Sequence, residues 1–202
     1  MSDITGIHHV TAICGDPQEN LDFYTSLLGM RLVKKSVNQD SPDTYHLFYA
    51  DADGNPGTDL TFFPFRHSPN GKLGVGLGVE IALAIPYGTH DYWHDRLTQH
   101  GAKVSGVEDR RGEKAITLAD PHGQLLALVE TKDERHYRPW DKSPVPADRQ
   151  ICGLHAVRAW ERDKAATADF LMSILEFKDF GEEDGWHRFG VGTGGSGLHI
   201  EI

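Results

Sequence analysis

Two adjacent imidazoles, His8 and His9, lie inside the apolar and β-branched run Gly6-Ile7-His8-His9-Val10-Thr11-Ala12-Ile13. A neutral imidazole is the commonest transition-metal ligand, and a strand fixes its direction, as a site of defined geometry requires. Side chains alternate along a strand, so Ile7, His9, Thr11 and Ile13 share one face while His8, Val10 and Ala12 share the other. Only one histidine of the pair can face a given cavity. The competing reading makes one a hydrogen-bonded core residue and leaves the other at the surface.

Other constellations carry less. His90 and His94 stand at i,i+4 on an expected helix, a spacing able to chelate. The pair lacks the glutamate that a zinc protease places after its first histidine, and it reads as a solvated helix face. Gly74-Val75-Gly76-Leu77-Gly78 leads into a strand, so no helix N-terminus follows to hold a phosphate. Gly192-Thr193-Gly194-Gly195-Ser196-Gly197 lacks the Lys-Ser/Thr of a phosphate loop and reads as a hairpin turn. Phe62, Phe63 and Phe65 can line a cavity for an aromatic ring, with core packing as the default.

The elements that must position these groups follow from pattern. Asp16-Pro17-Gln18-Glu19 supplies an N-cap, a proline at N1 and an acid at N3, and predicts a helix whose inner face is Leu21, Phe23, Tyr24, Leu27 and Leu28. Gly29 ends it. Strands are expected at 30–37, 45–50 and 58–63, giving the order βαβββ. The order recurs with strands at 75–85, 104–108, 114–118 and 124–130 and a helix at 89–100 ended by Gly101. It recurs again from Ile151, with Ala166, Phe170, Leu171, Ile174 and Leu175 facing inward on the helix. Helix ends Gly29, Gly101 and Glu176 are spaced by 72 and 75 residues, the period of a tandem repeat. The segments 66–74 and 131–150 read as linkers, the second wrapping the surface.

The expected fold is therefore α+β. Its tandem βαβββ modules span 4–65, 75–131 and 151–202, with curved mixed sheets paired into half-barrels, because one such sheet alone leaves a face uncovered.

The chain has 202 residues, 39% hydrophobic and 25% charged, with a formal net charge of -10. That balance argues against nucleic acid or an anionic membrane surface as partner. The apolar run Val75 to Ile85 is too short to span a bilayer, and Met1 to Thr5 shows no basic or apolar leader pattern. A soluble cytoplasmic protein is the expectation. Its two cysteines, Cys14 and Cys152, are too few for a disulfide framework.

A His-bearing first strand, a helix ending in Leu-Gly-Met, the segments Tyr45 to Asp51 and Pro56-Gly57-Thr58, and Phe62-Phe63-Pro64 together resemble the vicinal oxygen chelate superfamily, within it the hydroquinone-type ring-cleaving dioxygenases. The resemblance implies Fe(II), or alternatively Mn(II), held by two histidines and one carboxylate, with positions open for an aromatic diol and O2. It implies that His9 is a ligand and that His8 and Thr11 act beside it on bound substrate. The remaining histidine and glutamate then come from a fourth module beyond residue 202. Within the chain, Glu130, Glu201 and His155 are the alternative ligands. The rival functions are a glyoxalase-like lyase or isomerase, which consumes no oxygen, and a non-catalytic small-molecule binding module; self-association into a homo-oligomer stays open.

Overall fold

A computed structural model describes residues 3–67, 69 and 71–202. Met1 and Ser2, and Ser68 and Asn70 of the first expected linker, lie outside the described residues. The first βαβββ unit comprises β1 (His9–Cys14), α1 (Pro17–Leu21, continued by a π-helical turn Asp22–Leu27), β2 (Arg31–Val37), β3 (Tyr45–Ala50) and β4 (Asp59–Pro64). The second has β5 (Leu77–Pro86), α2 (His90–Gln99), β6 (Lys103–Arg110), β7 (Glu113–Ala119) and β8 (Leu125–Thr131). The third has β9 (Gly153–Trp160), α3 (Lys164–Asp169, continued by the π-helical Phe170–Ile174), β10 (Lys178–Glu183), β11 (Trp186–Gly190) and β12 (His199–Glu201).

Local chemistry starts and stops these helices. The Asp16 carboxylate accepts from the amides of Gln18 and Glu19, at 2.7 and 3.2 Å, and Pro17 occupies the first turn. At the other ends, Gly29, Gly101 and Glu176 all have positive φ, 73°, 69° and 56°. The third helix thus places a side chain in the left-handed region where the other two use glycine.

Two curled sheets result, together forming the half-barrel architecture. The first unit's sheet runs β1-β4-β3-β2, and an eight-stranded sheet runs β10-β11-β12-β9-β5-β8-β7-β6. The second and third units therefore join through their first strands, β5 and β9, paired antiparallel. The corresponding strand of the first unit, β1, ends its sheet. The main core lies where the first two units press together: Tyr24 stacks on Tyr49 at 5.2 Å and meets Phe62 at a tilt at 4.7 Å, near Trp93, Leu97, Ile116 and Leu128. The segment 131–150 does more than wrap the surface. It buries Val145, and Ser143 Oγ donates to the Gly29 carbonyl at 2.7 Å, strapping the end of the first helix.

The third helix corrects the sequence pattern. Leu171 is buried and Leu175 half-buried, but Ala166 is exposed and Phe170 and Ile174 stand 52% and 67% exposed. The first helix carries the same π-wound turn yet buries Phe23 and Leu27, with Arg96 of α2 donating to the Ser26 and Leu27 carbonyls, so the difference lies in the neighbour that covers the helix and not in its winding.

First and third units also meet through a reciprocal set of backbone bonds. Ile7 donates to the Gly197 carbonyl (2.9 Å) and Leu154 to the Gly57 carbonyl (2.8 Å) across the units; within each unit, Gly57 donates to the His8 carbonyl (2.7 Å) and Gly197 to that of His155 (2.6 Å). Gly6 and Gly153, at φ 140° and 126°, make the approach: a Cβ on either would lie 2.7 or 2.5 Å from the facing carbonyl oxygen.

Candidate active site

Strand β1 runs parallel to β4 with His9 opposite Asp59, Thr11 opposite Thr61 and Ile13 opposite Phe63. Strand β3 places Phe48 opposite Thr61. One face of this sheet thus collects His9, Thr11, Asp59, Thr61, His46, Phe48 and Phe63, while Leu60, Phe62, Leu47 and Tyr49 turn to the core. His9 and Thr11 are exposed on that face and share it, as alternation requires.

His8 departs from the expected parity. The strand begins at His9, after the kinked Gly6, and the two imidazoles meet edge to face with centroids 5.2 Å apart. Their Nδ1 atoms are 3.2 Å apart. Such a contact requires opposite tautomers at Nδ1, one ring carrying the hydrogen and the other accepting it. His8 also lines a cleft of about 460 Å³ between the first and third units, with Gly57, Arg135, Ser196 and Leu198 on its walls.

Three further residues belong to this face and were not singled out by motif. Thr61 Oγ1 lies 2.8 Å from Thr11 Oγ1 and 3.0 Å from His46 Nε2. His46 lies between Phe48 and Phe63, at centroid distances of 3.9 and 4.1 Å. Burial, then the neighbouring His9 and Lys34, lower the His46 pKa and keep the ring neutral. Asp59 Oδ1 is buried without a hydrogen-bond partner, and burial raises the Asp59 pKa against the opposing pull of His8 and His9. The signal that could have found them is alternation on β3 and β4: once His9 and Thr11 define a face, the strand beside them must contribute Asp59 and Thr61.

The other candidate ligands are engaged elsewhere. Glu130 accepts from the His90 amide at 2.7 Å and caps α2. Glu201, 4% exposed, is held by Arg158 at 2.7 Å and Arg188 at 2.9 Å. His155 Nδ1 lies 3.1 Å from Ser196 Oγ and its Nε2 3.5 Å from Glu113 Oε2, in surroundings whose burial pushes its pKa well down. The His90 and His94 rings are 6.4 Å apart and stacked, and His90 is largely buried, where a fully solvated face was expected.

The third unit repeats the first strand as Gly153-Leu154-His155-Ala156-Val157-Arg158-Ala159, with Ala156 where the first unit has His9. Its ladder is likewise parallel, Ala156 facing His199 and Arg158 facing Glu201. Where the first unit sets two hydroxyls opposite each other, the third sets an ion pair. On the eight-stranded sheet the concave floor is Ala82, Ala115, Ala127, Val129 and Ala156, and Arg110 forks onto Glu80 at 2.6 and 3.0 Å. The charges of that half are paired with one another, and Arg110, Arg158 and Glu201 line a cavity of about 420 Å³.

Whether these residues fit a metal can be read from the donors. Metal-bound histidine almost always donates its second ring N–H to a partner, and the His8–His9 contact supplies one: His9 can ligate through Nε2 while its Nδ1–H is held by His8. One donor fits. Among the described residues no group of three or more His, Cys, Asp or Glu closes a metal cage.

Comparison with known proteins follows the same outline. The chain is 38% identical over 184 residues to MhqO of Bacillus subtilis, assigned by name to the ring-cleaving dioxygenases; the match covers 91% of this chain and 58% of that protein. It is 29% identical to the chlorohydroquinone/hydroquinone 1,2-dioxygenase of Sphingobium indicum, covering 98% of this chain and 63% of the relative. A Bacillus subtilis crystal structure, described as a dioxygenase, superposes with a TM-score of 0.92 at 36% identity, over 100% of this chain and 64% of the other. The chain thus spans less than two thirds of the length of these relatives. Residues 6–128 match the profile of the superfamily whose fold the sheets display, and the chain belongs to the glyoxalase/bleomycin resistance protein/dioxygenase superfamily.

Proposed function

We propose that this chain is the part of a metal-dependent dioxygenase that supplies His9 to the metal and Thr11 and His8 to the substrate, in cleavage of a hydroquinone-like or catechol-like ring with O2. The carrying observation is the β1 face: an exposed imidazole already oriented by a second imidazole, with a hydroxyl two residues on and an aromatic wall of His46, Phe48 and Phe63 behind. The ring-cleaving relatives agree with this reading.

The metal is Fe(II), with Mn(II) as the alternative, a pair suited to a two-histidine, one-carboxylate set with open positions. When bound, it gives a diol and O2 one place to meet, which replaces a bimolecular encounter with a local one. The work of this chain's own residues is separate from that. His8 fixes the tautomer and ring direction of His9. Thr11 offers a hydroxyl able to accept or donate a proton next to the ligand. Phe48 and Phe63 enclose the His46 ring and exclude water from one side.

The other two ligands come, on this reading, from a further βαβββ unit that pairs with the outer edge of β1. Support lies in the fold itself: β5 and β9 show how two first strands join, and β1 has the same place in its unit and ends its sheet.

Metal analysis after anaerobic Fe(II) loading tests the reading, wild type beside His9→Ala. Near-stoichiometric iron lost in the variant, followed by O2 uptake with hydroquinones, supports it. Iron retention unaffected by the substitution refutes the role of His9. Turnover of a thiol adduct without O2 consumption moves the function to the lyase class.

A further inference from the structure

Three side chains from three adjacent strands form one line of hydrogen bonds on the His9 face. Thr11 Oγ1 lies 2.8 Å from Thr61 Oγ1, and Thr61 Oγ1 lies 3.0 Å from His46 Nε2. The line starts at the exposed Thr11, passes through Thr61, which is 1% exposed, and ends on a half-buried ring. A hydroxyl can donate and accept at once, so two in series can hand on a proton without either moving.

We propose that Thr11, Thr61 and His46 form a relay that carries a phenolic proton away from a ligand bound beside His9. The proposal rests on the ring-cleaving reading. In the step, the phenol O–H bond breaks and its electron pair stays on the oxygen. The proton bonds to Thr11 Oγ1, the Thr11 hydroxyl proton passes to Thr61 Oγ1, and the Thr61 proton passes to His46 Nε2. Phenol and neutral imidazole become phenolate and imidazolium; nothing is oxidised or reduced. The imidazolium then returns its proton to water, which a half-buried ring can reach.

The surroundings keep the acceptor unprotonated at rest. His46 sits opposite Ser36 on β2 with Lys34 diagonal to it, contacts Thr61 and Phe63 on β4, and has His9 two strands away on β1. Burial together with His9 and Lys34 disfavours a standing charge on the ring, so it rests in the accepting form. The fold does not demand hydroxyls at this rung, because the third unit sets Arg158 against Glu201 there, 2.7 Å apart. Thr11 and Thr61 are therefore a choice made in the unit that carries the exposed imidazole.

The test uses the full-length, metal-loaded protein, anaerobic, with 4-nitrocatechol, which enters as its monoanion and whose absorbance reports loss of the second phenolic proton. Stopped-flow mixing follows phenolate appearance in wild type, Thr61→Val, His46→Phe and the double variant, with Thr61→Ser as the conservative control. The expected result is phenolate formation slowed about tenfold or more in each single variant, within the range of a positioned acid–base group. The double variant should be no slower, Thr61→Ser should restore the rate, and affinity should stay within about threefold. A solvent deuterium effect that disappears in Thr61→Val is expected as well. Unchanged rates in both single variants, with binding still abolished by His9→Ala, overturn the relay alone. Absence of 4-nitrocatechol binding by wild type overturns the relay together with the reading beneath it.

Discussion

Substituting Gly153 by alanine is the sharpest probe of how the first and third units are joined. Gly153 has φ 126°, a region held essentially by glycine, and a Cβ there would lie 2.5 Å from the Gly57 carbonyl oxygen and 3.2 Å from Arg135 Nη2. Neither neighbour is loose. The Gly57 carbonyl accepts from Leu154 at 2.8 Å, and Arg135 Nη2 bonds the Leu154 carbonyl at 2.9 Å. Backbone strain of about 1–3 kcal/mol adds to roughly 1 kcal/mol for the bond between units and a similar amount for Arg135, giving about 4 kcal/mol. Gly123 provides the control: its φ is 89° and no atom lies within 4 Å of its would-be Cβ, so Gly123→Ala should cost about 1 kcal/mol from backbone strain alone. For a chain of this length, thermal midpoints should fall by roughly 12 °C for Gly153→Ala against about 3 °C for Gly123→Ala. Urea denaturation should rank the two identically. Equal losses in the two variants, within about 0.5 kcal/mol, would show that the Gly57 carbonyl yields freely and that the close approach does not hold the units together.

Two further outcomes concern the eight-stranded sheet. His199 is 1% exposed, and burial followed by the Arg188 charge lowers its pKa from 6.5 to about 4. The unfolded chain therefore takes up a proton that the folded chain refuses between those values, so stability should fall as pH drops from 6.5 towards 4 and then level, by about 3 kcal/mol in all. Denaturant titrations across that window should show a shallower slope for His199→Asn, and an unchanged slope refutes the assignment. Glu201→Gln removes the carboxylate that holds Arg188 and leaves Arg158 only the more distant Glu80 and Glu108, each at 3.9 Å, and should cost about 3 kcal/mol at pH 7. A loss below about 1 kcal/mol in urea midpoints would mean the two guanidiniums find water.

Much of the fold was legible because its signals are local. Asp16, Pro17 and Gly29 mark one helix from end to end, and Gly101 and Glu176 mark the same place in its two repeats. The pairing of units was not legible, because it depends on which strand edges meet, and nothing in the sequence of β5 names β9. The third helix misled for a different reason: a pattern of spacings shows which residues share a face but not whether a neighbour covers it, and the cover that buries Phe23 and Leu27 is not repeated at Phe170 and Ile174. For the site, His9 and Thr11 are readable from alternation on a single strand. Thr61, His46 and Asp59 join them only through register across β4 and β3, which a linear pattern does not contain.

The contrast between the two sheets has an energetic consequence. Strands β5 and β9 are paired on both sides within the eight-stranded sheet, whereas β1 lies at the edge of its own sheet, opposite an orphaned Asp59 oxygen and with an exposed Ile13 near its end. Features of the second kind lower local stability and persist only where something else holds the chain in place. Duplication allows that division: one copy becomes ballast while its sister tolerates costly groups. In native-state hydrogen exchange the amides of β1 should therefore open before those of β5 and β9, so that the segment bearing His9 is the most easily deformed part of the scaffold.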